Sequence, residues 1–338
     1  MNKKIISAIL ASAMITATAA YAADFTDMPS DPKAAQAIEN AVENKLLGGY
    51  DDNTIRPNAN IRRCEMAAII TRACKVTELS DMSAYVDVKK GDWFYEPMSS
   101  SKAMGAFEGD GDRMRPADNI SFQECFTVLA RVFNLYPDFS ELSVIPDELP
   151  ENYVASGNRI YDISALKGFA DSNKISGWAK PYVAGIVEHG GWNGKNGMLT
   201  PTAYITRAEF AEVMDNIIKN YIDEPGVYSD TVNGSVMIRC DGVKLDNTVV
   251  NGNVYIGDSV SAGGVEVNSI KADRLVVRGC ATPEKQPDGT LYASNDAGIS
   301  VTGDFDRIEV IRPCIHLDAS KAKYNTIFGI YTDKIDIP

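Results

Sequence analysis

Histidine, basic residues and long apolar runs are all scarce in this sequence. It has two histidines in 338 residues, and neither stands in a metalloprotease motif. A Gly-x-Ser-x-Gly nucleophile motif and a phosphate-binding loop are also missing. The acidic turn at residues 109–112 lacks the twelve-residue loop and final glutamate of a calcium-binding EF-hand. We therefore expect neither an enzyme nor a protein with a metal or other cofactor.

The deficit of basic residues restricts the partners. The chain has 46 acidic and 33 basic residues, a formal net charge of −13. Such a chain repels nucleic acid and anionic lipid. An anionic ligand would have to be held by a few local cations.

The longest apolar run lies at the amino terminus. Lys3 and Lys4 precede apolar and small residues at 5–19, and residues 20–22 form a small-x-small cleavage site. This pattern predicts a secretory signal peptide over residues 1–22. No later run reaches the roughly 20 apolar residues of a membrane-spanning helix. We expect an exported chain without an integral membrane span after cleavage.

Six cysteines in an exported protein could form disulfides. Cys64, Cys74 and Cys125 fall in helical patterns at positions that are apolar elsewhere, and we interpret them as core residues. The other three lie in the C-terminal part: Cys240, Cys280 and Cys314. The sequence leaves open whether two of these three cysteines form a disulfide.

Three segments of the chain repeat one order of residues. Each has an aromatic-x-Asp triplet, a helical pattern, a Gly-rich turn, a proline and a second helical pattern. The triplets start at Phe25, Tyr85 and Phe169. The prolines are Pro57, Pro116 and Pro201. Six residues after each proline stands, in turn, Arg63, Phe122 or Arg207. Ser121 with Glu124, and Thr206 with Glu209, have the spacing of a helix capping box. One such unit cannot bury its apolar faces, so the three should share a core.

The order of these motifs over residues 25–221 resembles the S-layer homology domain of bacterial surface proteins. The third segment matches best, with Trp178 and the Ile-Thr-Arg-Ala-Glu run at 205–209. The resemblance implies a pseudo-threefold helical bundle whose grooves bind an anionic wall polysaccharide, often pyruvylated, or peptidoglycan. It also implies a secreted protein held at the cell wall or in the surface layer.

The resemblance further implies which residues bind the glycan. Arginine can offer paired donors to a carboxylate, and tryptophan a flat apolar face to a sugar ring. Backbone N–H groups of a glycine-rich turn can hold further oxygens. The candidates are Arg207, Trp178, Arg63, Trp93, Asp171, Gly194 and Glu209.

The three segments differ where these residues belong. The first has Lys33 or a neighbouring alanine in place of tryptophan, and the second has Phe122 in place of arginine. If a groove takes both residues from one repeat, only the third repeat is complete. If it takes arginine from one repeat and tryptophan from the next, Arg63 and Trp93 form a second groove. Arg207 could instead be a scaffold residue that pairs across a repeat boundary.

The rest of the chain has a different pattern. Residues 138–167 are acidic and proline-containing, typical of a solvated insert. Later, short apolar runs separated by Gly, Asn and Asp predict β-strands. Val243 and Val265 are 22 residues apart, near one coil of a β-solenoid. Three asparagines could stack at its turns: Asn247, Asn251 and Asn268. This part resembles β-helix modules of other surface proteins, and a β-sandwich is the alternative.

Together these observations predict an α+β multidomain protein, with an all-α bundle followed by a small all-β, solenoid-like domain. The expected domains are the repeats at 23–80, 81–137 and 168–224, the insert at 138–167 and the β domain at 225–338. The expected function is non-covalent anchoring to the cell wall through its polysaccharide or peptidoglycan. The alternative is a structural surface-layer subunit whose β domain self-associates or displays a surface module.

Overall fold

The computed structural model describes residues 25–141, 146, 148–261, 264–278, 283–285, 291–293, 299–311, 317–329 and 335–336. The predicted signal peptide, Cys280 and Cys314 lie outside these residues. The described chain divides between Lys219 and Asn220 into a helical unit and a β unit. None of the described helices has the length and apolar character needed to cross a membrane.

The helical unit contains two α-helices for each repeat. They are α1 (Pro32–Glu43), α2 (Arg63–Cys74), α3 (Tyr95–Ala103), α4 (Phe122–Phe133), α5 (Lys180–Glu188) and α6 (Arg207–Ile217). The two predicted capping boxes are present, because Ser121 and Thr206 exchange hydrogen bonds with Glu124 and Glu209 at the starts of α4 and α6. These boxes satisfy helix N–H groups that have no partner within the helix.

A closed ring of backbone hydrogen bonds joins the three repeats. The N–H of Ile61 donates to the carbonyl of Ile205 at 3.0 Å, and that of Ile205 to Ile120 at 3.1 Å. The N–H of Ile120 donates back to Ile61 at 3.1 Å. All three isoleucine side chains are fully buried. The predicted pseudo-threefold arrangement therefore has its centre at these three residues.

Each second helix begins against the loop of another repeat. The backbone N–H groups at the starts of α2, α4 and α6 donate across the repeat boundaries at 2.9–3.0 Å: Arg63 to Asp118, Phe122 to Ala203, and Arg207 to Ala59. Repeat 1 thus contacts repeat 2, repeat 2 contacts repeat 3, and repeat 3 contacts repeat 1. This cyclic order creates three boundaries, which we call 1/2, 2/3 and 3/1.

The acidic insert forms a small antiparallel sheet that the sequence did not reveal. Its strands are β1 (Phe139–Glu141), β2 (Tyr153–Ser156) and β3 (Arg159–Asp162), with β3 in the middle. The buried ring of Tyr161 lies 5.5 Å from the ring of Phe139 and 6.0 Å from that of Tyr136. The strands of three to four residues are too short to produce a clear alternating pattern in the sequence.

The β unit is a β-solenoid, as predicted. Its shorter strands are β4 (Asn220–Ile222), β5 (Gly226–Tyr228), β6 (Val232–Asn233), β7 (Val236–Ile238), β8 (Val243–Asp246), β9 (Val250–Asn251) and β10 (Val254–Ile256). The longer strands are β11 (Val265–Val277), β14 (Ile299–Val310) and β15 (Leu317–Gly329), and the described pieces β12 (Pro283–Lys285), β13 (Leu291–Ala293) and β16 (Ile335–Asp336) complete the unit.

Parallel stacking of successive coils produces the solenoid. Val243 and Val265 are direct partners in neighbouring strands, so their predicted spacing is one coil. Val236, Val254 and Leu275 stack in one buried column. This parallel ladder excludes the β-sandwich alternative, whose sheets are antiparallel.

The predicted asparagine stacking also occurs at two turns. The N–H of Asn247 donates to the carbonyl of Asn268 at 3.0 Å. The side chain of Asn251 instead stacks on Asn233, with an amide hydrogen bond of 2.8 Å.

The helical cysteines occupy the core, as expected. Cys64, Cys74 and Cys125 are at most 1% exposed. Cys64 and Cys125 are free thiols. Burial raises the pKa of Cys64 to about 11, so this thiol is protonated at neutral pH.

The central ring makes a testable contribution to stability. Replacing Ile205 with alanine should destabilise the helical unit by about 2–5 kcal/mol, because it leaves a cavity at the junction of three repeats. Urea unfolding followed by circular dichroism at 222 nm measures this change. The exposed Leu79 is the control, and Leu79→Ala should change stability by less than about 0.5 kcal/mol. Equal effects of the two substitutions would contradict a central role for the ring.

Candidate functional site

A groove of about 770 Å³ lies at the 2/3 boundary. Its lining residues are Arg115, Ala117, Asp118, Asn119, Ser121, Gln123 and Glu124 of repeat 2, with Ser176, Trp178, Thr202 and Tyr204 of repeat 3. Its volume is within the range of small-molecule sites in proteins. The groove therefore takes its side chains from two neighbouring repeats.

Trp178 lines this groove, and a contact between repeats ties down the turn that carries it. It belongs to a single 3₁₀ turn, Gly177–Ala179, directly before α5. The backbone N–H of Ser176 donates to the Gln123 side-chain oxygen at 2.9 Å, which ties this turn to α4. The indole remains 54% exposed. A large apolar side chain is thus exposed to solvent beside polar groups.

Tyr204 is a groove residue that the sequence analysis missed. It directly precedes Ile205, which belongs to the central ring of backbone hydrogen bonds. The corresponding residues of the other two repeats are Asn60 and Asn119. Tyr204 is 55% exposed and lines the same groove as Trp178. Comparing the three repeats at this position could have identified it as the odd residue.

The charged groups of the groove are largely paired with one another. Arg115 Nε donates to Asp118 at 2.8 Å, and this hydrogen bond raises the pKa of Arg115. One oxygen of Glu124 accepts from the N–H of Ser121 at 3.0 Å and from its hydroxyl at 2.7 Å. The other oxygen lies 3.6 Å from Arg63 Nη1.

Phe122 fills the place of the missing arginine at this boundary. It is 3% exposed, and its ring lies 5.4 Å from that of Trp192. At the 2/3 boundary, a contact between aromatic rings therefore takes the place of the arginine contact.

Arg207 crosses the 3/1 boundary and is 6% exposed. Its Nε donates to the carbonyl of Ile55 at 2.8 Å, and Nη2 to that of Gly48 at 2.9 Å. Its guanidinium also lies 5.3 Å from the Tyr50 ring. These bonds attach the turn of repeat 1 to the start of α6. Arg207 and Trp178 stand at different boundaries.

Arg63 makes the equivalent contact across the 1/2 boundary. Its Nε donates to the carbonyl of Met114 at 3.0 Å, and its guanidinium lies 5.0 Å from the Phe107 ring. Burial lowers the pKa of Arg63, although Glu124 opposes this shift. Trp93 precedes α3 as Trp178 precedes α5, and it is 58% exposed.

The other three candidate residues have clear folding roles. Asp171 is 2% exposed and accepts from the N–H groups of Leu199 and Thr200 at 2.8 Å. Gly194 has a φ of 69°, and a Cβ there would lie 2.6 Å from the Met198 carbonyl oxygen. Their places are outside the groove lining given above.

Glu209 likewise lies outside that lining. It caps α6 through Thr206, and one of its oxygens lies 3.1 Å from Lys195 Nζ. Its carboxylate is therefore already engaged within repeat 3.

Comparison with known proteins identifies the repeated segments. The S-layer homology domain matches residues 24–67, 84–124 and 168–211. Similar proteins include an amylopullulanase of Thermoanaerobacterium thermosulfurigenes (28% identical, covering 59% of this chain and 10% of that protein). The surface-layer 125 kDa protein of Lysinibacillus sphaericus is 27% identical over 65% of this chain and 17% of its own length. A cellulosome-anchoring protein of Acetivibrio thermocellus is 27% identical over 39% of this chain and 30% of its own length. The chain spans less than a third of the length of each.

The contact made by Arg207 leads to a stability prediction. Arg207→Gln should destabilise the helical unit by about 1–3 kcal/mol, because it removes charge-assisted hydrogen bonds to two carbonyl groups. Urea unfolding measures the change. Arg56→Gln, in the same turn of repeat 1, is the control and should cost less than about 1 kcal/mol, since Arg56 is exposed in both its ion pair with Asp52 and its contact with the Tyr50 ring. An unchanged stability of Arg207→Gln would contradict a scaffold role.

Proposed function

Because the chain carries three S-layer homology domains and is a secreted cell-surface protein, we propose that it anchors itself non-covalently to a glycan of the bacterial cell wall. The groove at the 2/3 boundary carries this proposal. It combines an exposed tryptophan, whose turn is tied to α4 by the Gln123–Ser176 hydrogen bond, with neutral hydrogen-bonding side chains in a cavity of suitable volume. Carbohydrate sites need these two features, an apolar face and directed polar groups.

We favour an anionic wall polysaccharide, such as a pyruvylated one, as the polymer, with peptidoglycan as the alternative. Arg63 and Arg207 lie at the 1/2 and 3/1 boundaries. At the 3/1 boundary Lys195 Nζ lies 3.8 Å from Glu212 of α6, and Lys33 at the start of α1 is exposed. The exposed Lys33 can reach an acidic group of a polymer even though the chain as a whole is acidic, whereas Arg63, Arg207 and Lys195 are already bonded within the protein.

The proposed roles of the candidate residues follow from their exposure. Trp93 and Trp178 can contact a sugar directly, because more than half of each side chain is exposed. Arg63 and Arg207 are buried and bond the turns that border the grooves. We therefore propose that they affect binding in part indirectly, by positioning those turns. Asp171, Gly194 and Glu209 are proposed to shape the turns. Each groove is then built from two successive repeats.

The helical unit is proposed to act as a non-catalytic module. The enzymes among the similar proteins match this chain through their S-layer homology regions, so their named activities belong to other parts of those proteins. A second candidate function is a surface-layer subunit, in which the β-solenoid associates with further copies. The names of the surface-layer proteins of Lysinibacillus sphaericus and Brevibacillus choshinensis favour this candidate.

Sedimentation with purified sacculi of the producing bacterium tests the anchoring proposal. The exported chain should sediment with the sacculi, and acid stripping of the wall polysaccharide should abolish this binding. The double substitution Trp93→Ala and Trp178→Ala should weaken binding by at least about tenfold, because it removes both exposed indoles without opening a core cavity. Tyr153→Ala, which truncates an exposed aromatic residue of the insert, is the matched control.

The outcomes separate the alternatives. Binding that survives stripping would identify peptidoglycan as the ligand. A chain that does not sediment with untreated sacculi would contradict anchoring and favour the surface-layer subunit, which should then form ordered arrays visible by electron microscopy.

A further inference from the structure

The three boundaries share one backbone arrangement but carry different side chains. Boundary 2/3 has a phenylalanine, Phe122, where the other two have arginine. It also has Tyr204 where the other repeats have Asn60 and Asn119. Aromatic residues have thus replaced a cation and an amide at one boundary, which changes the ligand chemistry that it favours.

We infer that the groove at boundary 2/3 binds an uncharged sugar unit of the wall glycan, with Trp178 and Tyr204 as its two aromatic contacts. This inference rests on the proposed anchoring function. It assigns the neutral and acidic units of the polymer to different boundaries.

The electrostatics of the groove disfavour an acidic unit. Its charged lining residues are Arg115, Asp118 and Glu124, and Arg63 lies 3.6 Å from Glu124, so two carboxylates balance the two cations. Arg115 is already hydrogen-bonded to Asp118, so its charge is offset at short range. A carboxylate that enters the groove would approach Asp118 and Glu124 without an unshared cation among the lining residues that the structure describes. An added carboxylate would therefore be repelled by these two carboxylates and would find only cations that are already paired.

The remaining lining groups suit a neutral sugar. Asn119, Ser176 and Thr202 provide an amide and two hydroxyls that can exchange hydrogen bonds with sugar hydroxyls or acetamido groups, while the Gln123 amide oxygen already accepts from Ser176. Trp178 and Tyr204 are more than half exposed, so their apolar faces are available to the C–H faces of a sugar ring. A neutral ligand leaves every charge pair of the groove intact.

The salt dependence of binding to sacculi tests this inference with the full exported chain. Trp178→Ala and Tyr204→Ala should each weaken binding about tenfold relative to the unsubstituted chain, as loss of a buried aromatic contact does. The fold-change should be the same at about 0.05 M and about 0.5 M NaCl, because screening does not affect contacts with an uncharged unit. Tyr153→Ala is again the control and should bind like the unsubstituted chain.

A charge added to the groove provides a second test. Thr202 is an exposed lining residue, and Thr202→Lys should not tighten binding at low salt if the unit is neutral. Tighter binding by Thr202→Lys would overturn the inference. So would a Trp178→Ala effect that disappears at high salt, or binding by both aromatic variants equal to that of Tyr153→Ala. Failure of the unsubstituted chain to sediment contradicts the anchoring function itself, which distinguishes the two proposals.

Discussion

The ring of backbone hydrogen bonds among Ile61, Ile120 and Ile205 is the constraint on which the helical unit depends. A backbone N–H and a carbonyl buried without partners would each cost free energy, and the ring pairs the ones at the centre with one another. The pairing is cyclic, so the loop of each repeat is held by the other two. A single repeat on its own cannot supply partners for these groups, so the fold needs three repeats.

The ring also determines where grooves can exist. It directs the start of each second helix against the loop of the next repeat, so the side chain at that position crosses a boundary. Arg63 and Arg207 use this position to bond carbonyl groups of the next turn, while Phe122 uses it to pack against Trp192. The backbone is shared, and the side chains distinguish the boundaries. Three similar repeats therefore present three chemically different boundaries.

The β unit obtains its order from a different repetition. Parallel strands of successive coils align like residues in columns, such as the column of Val236, Val254 and Leu275. Each coil covers the apolar edge of its neighbour, and the chain needs no repeat of fixed sequence to do this. Partner residues of neighbouring coils are 22 positions apart at Val243 and Val265 and 18 apart at Val236 and Val254. Coil length varies at the turns, while the stacked columns stay in register.

The sequence by itself determined the features that depend on local pattern. The three repeats, the capping boxes at Ser121 and Thr206 and the solenoid coil follow from residue spacing within a few dozen positions. The tertiary structure alone decided what the side chains at the repeated positions contact. Arg207 bonds Ile55, 152 residues away in the chain, and Tyr204 and Trp178 come to one groove with residues of repeat 2. Such contacts follow from which loops meet around the closed ring, and spacing along a chain carries no information about that choice.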